Sequence, residues 1–522
     1  MLGKKEVREL LEKRFSKDIH TKISEIPLPC HLKDTYKAAM RIKTAINENE
    51  RIAVVGDYDV DGVVSSVIMA DFLELMGADF FVKIPNRFTD GYGLNASILD
   101  EFDGVDLIVT VDNGISAVDA AKICKEKKID LIITDHHMPP PVLPDAYAII
   151  NPKQKECPFP NIEICGAEVA WYLVGALKDV CKIEYDMSLA LDLLVIAIIA
   201  DMMELRDMNR VLVRMGIKKL NLSKRPCFRA IKEFNAKDKF EFDDISFLIA
   251  PLINCTGRMD DASLSYKFLR SKNIKEANYY LETIVKLNTS RKEEEKNLYE
   301  NSLLEISGDD EIIVTWGDDW HEGVIGIVAS RLCKQYRKPA IVFSVDKDRA
   351  KGSARSVGKF DILRLIASQK DMLLSFGGHK GAAGLTIEPS NLEAFKKAIN
   401  ASCFLQDLNT PAYADELLGE LDVGELDLEM LEILEFFEPY GQKNPKPVFC
   451  IQNALVRNVR YIGKDQIHIK ISFEKDGAMV EGLFFNYDYM PCIGDSVNLI
   501  VSVIKNNFRG VVTPELLIKE IS

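Results

Sequence analysis

Gly56-Asp57-Tyr58-Asp59-Val60-Asp61-Gly62 follows an apolar run, Ile52 to Val55, that reads as a buried strand. The stretch sets three carboxylates at alternate positions directly after that strand. Negative charges packed this closely repel one another, and each is costly to bury without a positive neighbour. A divalent cation held by hard oxygen ligands removes the cost. Asp-x-Asp-x-Asp-Gly also opens calcium-binding EF-hand loops, which need a preceding helix and a bidentate Glu at the twelfth position. Counted from Asp57, that position is Ile68, and the preceding segment is β-like, so an EF-hand is excluded. A plainer reading stays open, in which the aspartates form a polar turn and cap a helix beginning near Gly62.

Outward from this stretch a strand–helix rhythm appears. A helix is expected from Val63 to Met76, then strands at Phe80–Ile84, Asp106–Val111 and Asp130–Thr134. Such alternation predicts a mainly parallel sheet flanked by helices. The apolar runs end in Asp57/Asp59/Asp61, Asn86/Arg87, Asp112 and Asp135/His136/His137. That C-terminal edge is where open parallel sheets bind ligands. Each group has a structural alternative: Asp112-Asn113-Gly114 makes a good turn, and Asp-His-His can cap a helix. Their coincidence at one edge favours a shared crevice. The run LLVIAIIADMMEL reads as a buried helix carrying Asp201 at its far end, a carboxylate that needs a partner unless its turn is exposed.

The totals bound the rest. At 522 residues the chain holds roughly three domains. A net charge of -14 confines any nucleic-acid contact to a local basic groove. Eleven cysteines, none in Cys-x-x-Cys, fit a reducing cytoplasm and give neither a zinc ribbon nor a disulfide framework. The charged helical N-terminus is no signal peptide, and the longest apolar run, Leu193 to Ala200, is too short for a bilayer, so an intracellular protein is expected.

Beyond Arg258 in NCTGRMDDASLS, a charged segment from about Ile274 to Ile306 reads as a solvated helical connector. A second α/β unit follows. It carries strand Glu311–Thr315, a helix from Val324 to Tyr336 and strand Ala340–Ser344. The stretches Lys351-Gly352-Ser353-Ala354-Arg355-Ser356 and Phe376-Gly377-Gly378-His379-Lys380-Gly381 read as glycine-rich phosphate cradles, with plain turns as the alternative. The last ~110 residues form short alternating runs, with a hairpin signal at Lys475-Asp476-Gly477, and suggest a small barrel. Arg457, Arg460, Tyr461, Lys470, Phe508 and Arg509 would offer charge and stacking to a single strand, unless the lysines are merely solvated.

Taken together, GDYDVDG, PNR, VTVDNGIS, DHH, CGA, ADMMEL, GRMDDAS, HEGVIGIVASR, KGSARS, GGHKGAAG and EPYGQKNPKPVF resemble, in order, the DHH phosphoesterase superfamily, and specifically RecJ-type single-strand DNA exonucleases. The resemblance implies an α/β fold: an N-terminal helical segment (1–45), a parallel-sheet DHH domain (46–272), a connecting helix (273–306), a DHH-associated α/β domain (307–410) and an OB-fold β-barrel (411–522). It implies two divalent ions, Mn²⁺ or Mg²⁺, on Asp57, Asp59, Asp61, Asp112, His136 and Asp201, with His137 on the phosphate side as a further catalytic group. Arg87, Arg258, Ser353, Arg355 and His379 would bind the DNA phosphates. The implied activity is two-metal 5′-to-3′ exonucleolysis of single-stranded DNA in recombination and repair. The enzyme would be a cytoplasmic, nucleoid-associated monomer without membrane contact, cooperating with a single-strand-binding protein and a helicase. Two alternatives stand beside it: a phosphodiesterase for short oligonucleotides or cyclic dinucleotides, and a catalytically inactive DNA-binding scaffold.

Overall fold

The computed structural model describes residues 1–304, 306, 310–358, 360–402, 416–463, 467–487, 489–508 and 510–522. They fall into two compact units, Pro27–Met203 with Met215–Ala412, and Met1–Ile26 with Glu204–Arg214 and Tyr413–Ser522.

In the larger unit, strands β1 (Ile52–Val55), β2 (Phe80–Lys83), β3 (Leu107–Val111), β4 (Asp130–Thr134) and β5 (Ala148–Ile150) form an all-parallel sheet in the order β2-β1-β3-β4-β5. Strands β1 and β3 are buried throughout, which is why they read as near-continuous apolar runs rather than alternating ones. Strand order reverses between β1 and β3, so the loops leaving them diverge and open a crevice at their C-terminal ends. The aspartate-rich loop and Asp112 emerge there. The helix after β1 spans Val60–Leu75, starting three residues before the expected Val63, because Asp59 is its N-cap and accepts a hydrogen bond from Gly62 N at 3.1 Å.

The 31-residue helix Ile274–Leu304 keeps its KEEEK segment largely solvated while burying Ala277, Leu281, Ile284 and Leu298. It packs against both Ala250–Met259 and Glu322–Tyr336. A second sheet follows: β6 (Ile313–Asp318), β7 (Ala340–Val345), β8 (Ala350–Arg355), β9 (Leu373–His379) and β10 (Ala382–Ile387), ordered β6-β7-β8-β10-β9. The glycine-rich stretches expected as loops are thus largely strands. Gly384 pairs with Gly377 on one side and Ser353 on the other, so the Gly384–Gly377 rung carries no side chain.

In the smaller unit, β11 (Leu417–Glu420), β12 (Val448–Ile462), β13 (His468–Lys475), β14 (Ala478–Phe485), β15 (Ser496–Phe508) and β16 (Val511–Ile521) curl until β12 also pairs with β15. Phe449, Ile471, Phe473 and Leu516 fill the interior. Asp476 and Gly477 adopt φ 50° and 81° in the hairpin the sequence signalled. Two of the expected strand-binding groups are neutralised within the barrel. Lys470 Nζ lies 2.5 Å from both Glu481 and Glu515, and Arg457 Nε donates to Glu474 at 2.7 Å. Tyr461 is half exposed beside Tyr487, at 6.4 Å between ring centroids. Arg509, the side chain of Phe508 and the boundary near 410 lie outside what the structure describes. Among the described residues, no helix is long and apolar enough to cross a membrane.

Candidate metal centre

The C-terminal ends of β1, β3 and β4 deliver Asp57, Asp112 and His136 to one crevice. The Val60–Leu75 helix adds Asp59 and Asp61 from its first turn, and Leu191–Ala200 adds Asp201 as its C-cap. Potential ligand atoms of Asp57, Asp59 and Asp112 lie within 4.8 Å of one another, as do those of Asp61, His136 and Asp201, and of Asp112, His136 and His137. His136 Nε2 faces three carboxylates, at 3.3 Å from Asp112, 3.5 Å from Asp201 and 3.7 Å from Asp61. Asp112 belongs to two of the sets.

Burial, followed by the charge of neighbouring aspartates, holds Asp57, Asp112 and Asp201 well above the ordinary carboxylate range. Asp61 is pushed up to about 6 by burial and by Asp59, against the pull of backbone amides from Ala167 and Gly166. Burial, then the charge of His137, drives His136 down to about 3, so its imidazole is neutral and its nitrogen can ligate. Asp57 Oδ1, Asp112 Oδ1, Asp201 Oδ2 and His136 Nδ1 are all buried without a hydrogen-bond partner. Buried polar atoms left open on this scale, on hard oxygen and imidazole donors, fit divalent cations such as Mn²⁺ or Mg²⁺.

Across the cleft the charge inverts. Arg258, on Ala250–Met259, is pushed down to about 10 by burial and then by Arg87 and Arg355. Arg355 is lowered by burial and by Arg87. These guanidiniums destabilise one another as the carboxylates do, and an anion among them relieves it. Arg87 rests over the ring of Tyr58, 5.2 Å from its centroid. Arg355 Nη1 donates to Ser353 Oγ at 3.1 Å. Arg355, Ala382 and His379 are cross-strand partners, which places His379 on the same face as Ser353 and Arg355. Burial and then the charges of Arg355 and His137 lower His379, whose Nδ1 accepts from Gly381 N at 3.2 Å. The expected carboxylates and imidazoles thus gather in one crevice, with Arg87, Arg258 and Arg355 close enough to one another for their charges to interact beside it.

Other groups do work that the sequence assigned to none of them. Asp135 Oδ1 accepts from the backbone amides of His136 and His137 and sits 2.7 Å from His137 Nδ1, while Oδ2 accepts from Ile115 N. Asp135 thus orients the His137 imidazole and holds the backbone of both histidines. Lys153 is close enough for its charge to be felt by His136, Asp201 and His379. Gly166 N and Ala167 N donate to Asp61 at 2.6 and 2.8 Å.

Comparison with known proteins agrees with this layout. Residues 51–198 match the DHH family, N-terminal domain; residues 309–403 match the DHHA1 domain; residues 419–520 match the RecJ OB domain. The chain is 33% identical to a single-stranded-DNA-specific exonuclease RecJ of Bacillus subtilis, covering 96% of this chain and 65% of that one. With the RecJ exonuclease of Escherichia coli K12 it shares 32% identity over 93% of this chain and 89% of the relative. The crystal structure of Thermus thermophilus RecJ in complex with Mn²⁺ superposes with a TM-score of 0.86 at 26% identity, over 98% of this chain and 74% of that one. The same Thermus protein has also been solved with Mg²⁺. Matching the DHH, DHHA1 and RecJ OB models along its length, and about a third identical to the Bacillus and Escherichia exonucleases over more than nine-tenths of its residues, the chain belongs to the RecJ family of DHH phosphoesterases.

Proposed function

We propose that the chain is a metal-dependent exonuclease that removes 5′-mononucleotides from single-stranded DNA in the 5′-to-3′ direction. The observation that carries this reading is the opposition of two like-charged clusters across one cleft. One is a carboxylate–imidazole set that a cation relieves, the other a guanidinium set that a phosphate relieves. A terminal phosphodiester bridging bound metal and arginine satisfies both.

Asp57, Asp59, Asp61, Asp112, His136 and Asp201 would hold two ions, which when bound supply an activated water and charge stabilisation at the attacking and leaving oxygens. Arg87, Arg258, Ser353 and Arg355 would fix the terminal phosphate so that the next diester lies over the crevice. His137, kept cationic by Asp135, adds positive charge on the phosphate side. His379 closes the far wall. The barrel would receive the outgoing strand through exposed rings such as Tyr461, where stacking is indifferent to sequence.

Digesting long strands labelled at either end, with Mn²⁺ titrated, tests the reading. Early release of the 5′ label is expected; release of the 3′ label first, or no cleavage at any Mn²⁺ concentration, overturns it. Removing residues beyond ~410 discriminates the alternative: unchanged activity on long strands would favour a short-oligonucleotide phosphodiesterase. In the cell, we place the enzyme on single-stranded intermediates of recombination and repair in the cytoplasm, where a helicase and a single-strand-binding protein would supply and present the strand.

A further inference from the structure

Both oxygens of Asp61 are taken by one helix end: Oδ2 accepts from Gly166 N at 2.6 Å and Oδ1 from Ala167 N at 2.8 Å. These are the first two residues of the helix Gly166–Cys181, whose side chains are buried from Gly166 through Leu177. Its start is fixed by Glu168, whose Oε2 accepts from Cys165 N at 2.8 Å in a capping box.

The same turn touches the second carboxylate. A Cβ added to Gly166 would stand 2.4 Å from Asp112 Oδ1 and 2.5 Å from Asp112 Cβ. Gly166 is absent from the positive-φ glycines, so its backbone would accept any residue. Its lack of a side chain is required by the approach of Asp112, which supplies the three nearest atoms. Asp112 itself is held at φ 63°, a conformation costly for a residue with a side chain. It cannot readily retreat.

We infer that Gly166 is a positioning residue that sets the spacing of Asp61 and Asp112, its amide holding one carboxylate and its missing side chain admitting the other. The inference rests on the metal reading above. The helix end does for these carboxylates what outer hydrogen-bond partners do for metal ligands generally, and loss of such partners typically weakens metal binding about 10–100-fold. Glu168 acts one step further out, by keeping the turn wound.

The test is Mn²⁺ affinity of the full chain, measured by electron paramagnetic resonance of the free ion, beside the melting temperature of the metal-free protein. Gly166→Ala is expected to weaken Mn²⁺ binding at least ~10-fold while the metal-free fold persists. Glu168→Ala keeps every residue of the crevice. It is expected to lose affinity in the same direction, and Glu168→Gln, which can still accept from Cys165 N, is expected to restore it. Wild-type affinity in Gly166→Ala overturns the inference. If that variant does not fold, wild-type affinity in Glu168→Ala does so instead. Failure of the wild-type protein to bind Mn²⁺ would strike the metal reading itself, a different result from either.

Discussion

Nδ1 of His137 lies 2.7 Å from Oδ1 of Asp135, a carboxylate that also binds the backbone amides of both imidazole residues. Burial works against charge on His137, but the hydrogen bond and charge of Asp135 prevail and raise it to about 9. The folded value stands above that of a free imidazole, about 6.5. This pair therefore contributes stability in full below pH ~6.5 and loses it as pH rises through about 9. We expect the His137 imidazole to titrate near pH 9 by NMR, and strand affinity to decline over the same range. In Asp135→Asn the midpoint should fall toward 6.5. A midpoint already near 6.5 in the wild-type protein would refute the assignment.

Asp112 is shared by two of the ligand sets, so its loss should damage the whole centre. Asp112→Asn is expected to lower kcat/KM at least ~10³-fold, about 4 kcal/mol of transition-state stabilisation. It should leave strand binding intact, since the arginines lie on the other wall. The same change removes a carboxyl whose ionisation burial and the neighbouring aspartates oppose, so the metal-free variant should melt above wild type at pH 7. Mn²⁺ should raise the melting temperature of the wild type far more than that of the variant. Differential scanning calorimetry with and without Mn²⁺ reads both effects.

How far the sequence carried is uneven, and the reasons are physical. Strands β1, β3 and β4 are buried on both faces, so each announces itself as an apolar run, and each ends in the polar residue that the site uses. Asp201 was legible because a carboxylate after so apolar a helix needs a partner. Strands β8 to β10 were hidden because glycine and alanine erase the alternation that marks a strand. Gly166 stood within the CGA motif, but its role was not legible, because it is defined by contact with Asp112, which only the folded sheet brings near. Lys470 and Arg457 looked available for nucleic acid because their acidic partners arrive from other strands of the barrel.

Arg355 sits with Arg87 and Arg258 where a phosphate would relieve their mutual repulsion. Lysine keeps the charge but loses the planar fork. Loss of one charge-assisted hydrogen bond is worth about 2 kcal/mol, or ~30-fold. Arg355→Lys should therefore raise KM for a 5′-phosphorylated strand ~30-fold with kcat little changed. A strand ending in a 5′-hydroxyl should show a smaller penalty. Equal losses on the two substrates would remove Arg355 from the terminal-phosphate site.

Gly323 and Arg258 meet so closely that a Cβ on Gly323 would stand 1.9 Å from the Arg258 carbonyl oxygen. Gly323 is in the first turn of Glu322–Tyr336, where its amide donates to the capping His321 ring and its carbonyl accepts from Arg258 Nη1 at 3.3 Å. The glycine thus lets the two helices touch and aims the guanidinium. Gly323→Ala should push them apart, at the ~1–3 kcal/mol typical of overpacking. Because none of the crevice carboxylates sits on either helix, Mn²⁺ affinity should hold while KM for the strand rises. Gly384→Ala is the control, since a Cβ there meets nothing within 4 Å. It should leave the melting temperature unchanged or slightly raised, as glycine in a strand is entropically costly. Parallel loss of stability in both variants would mean that substitution as such, rather than the Gly323–Arg258 contact, is responsible.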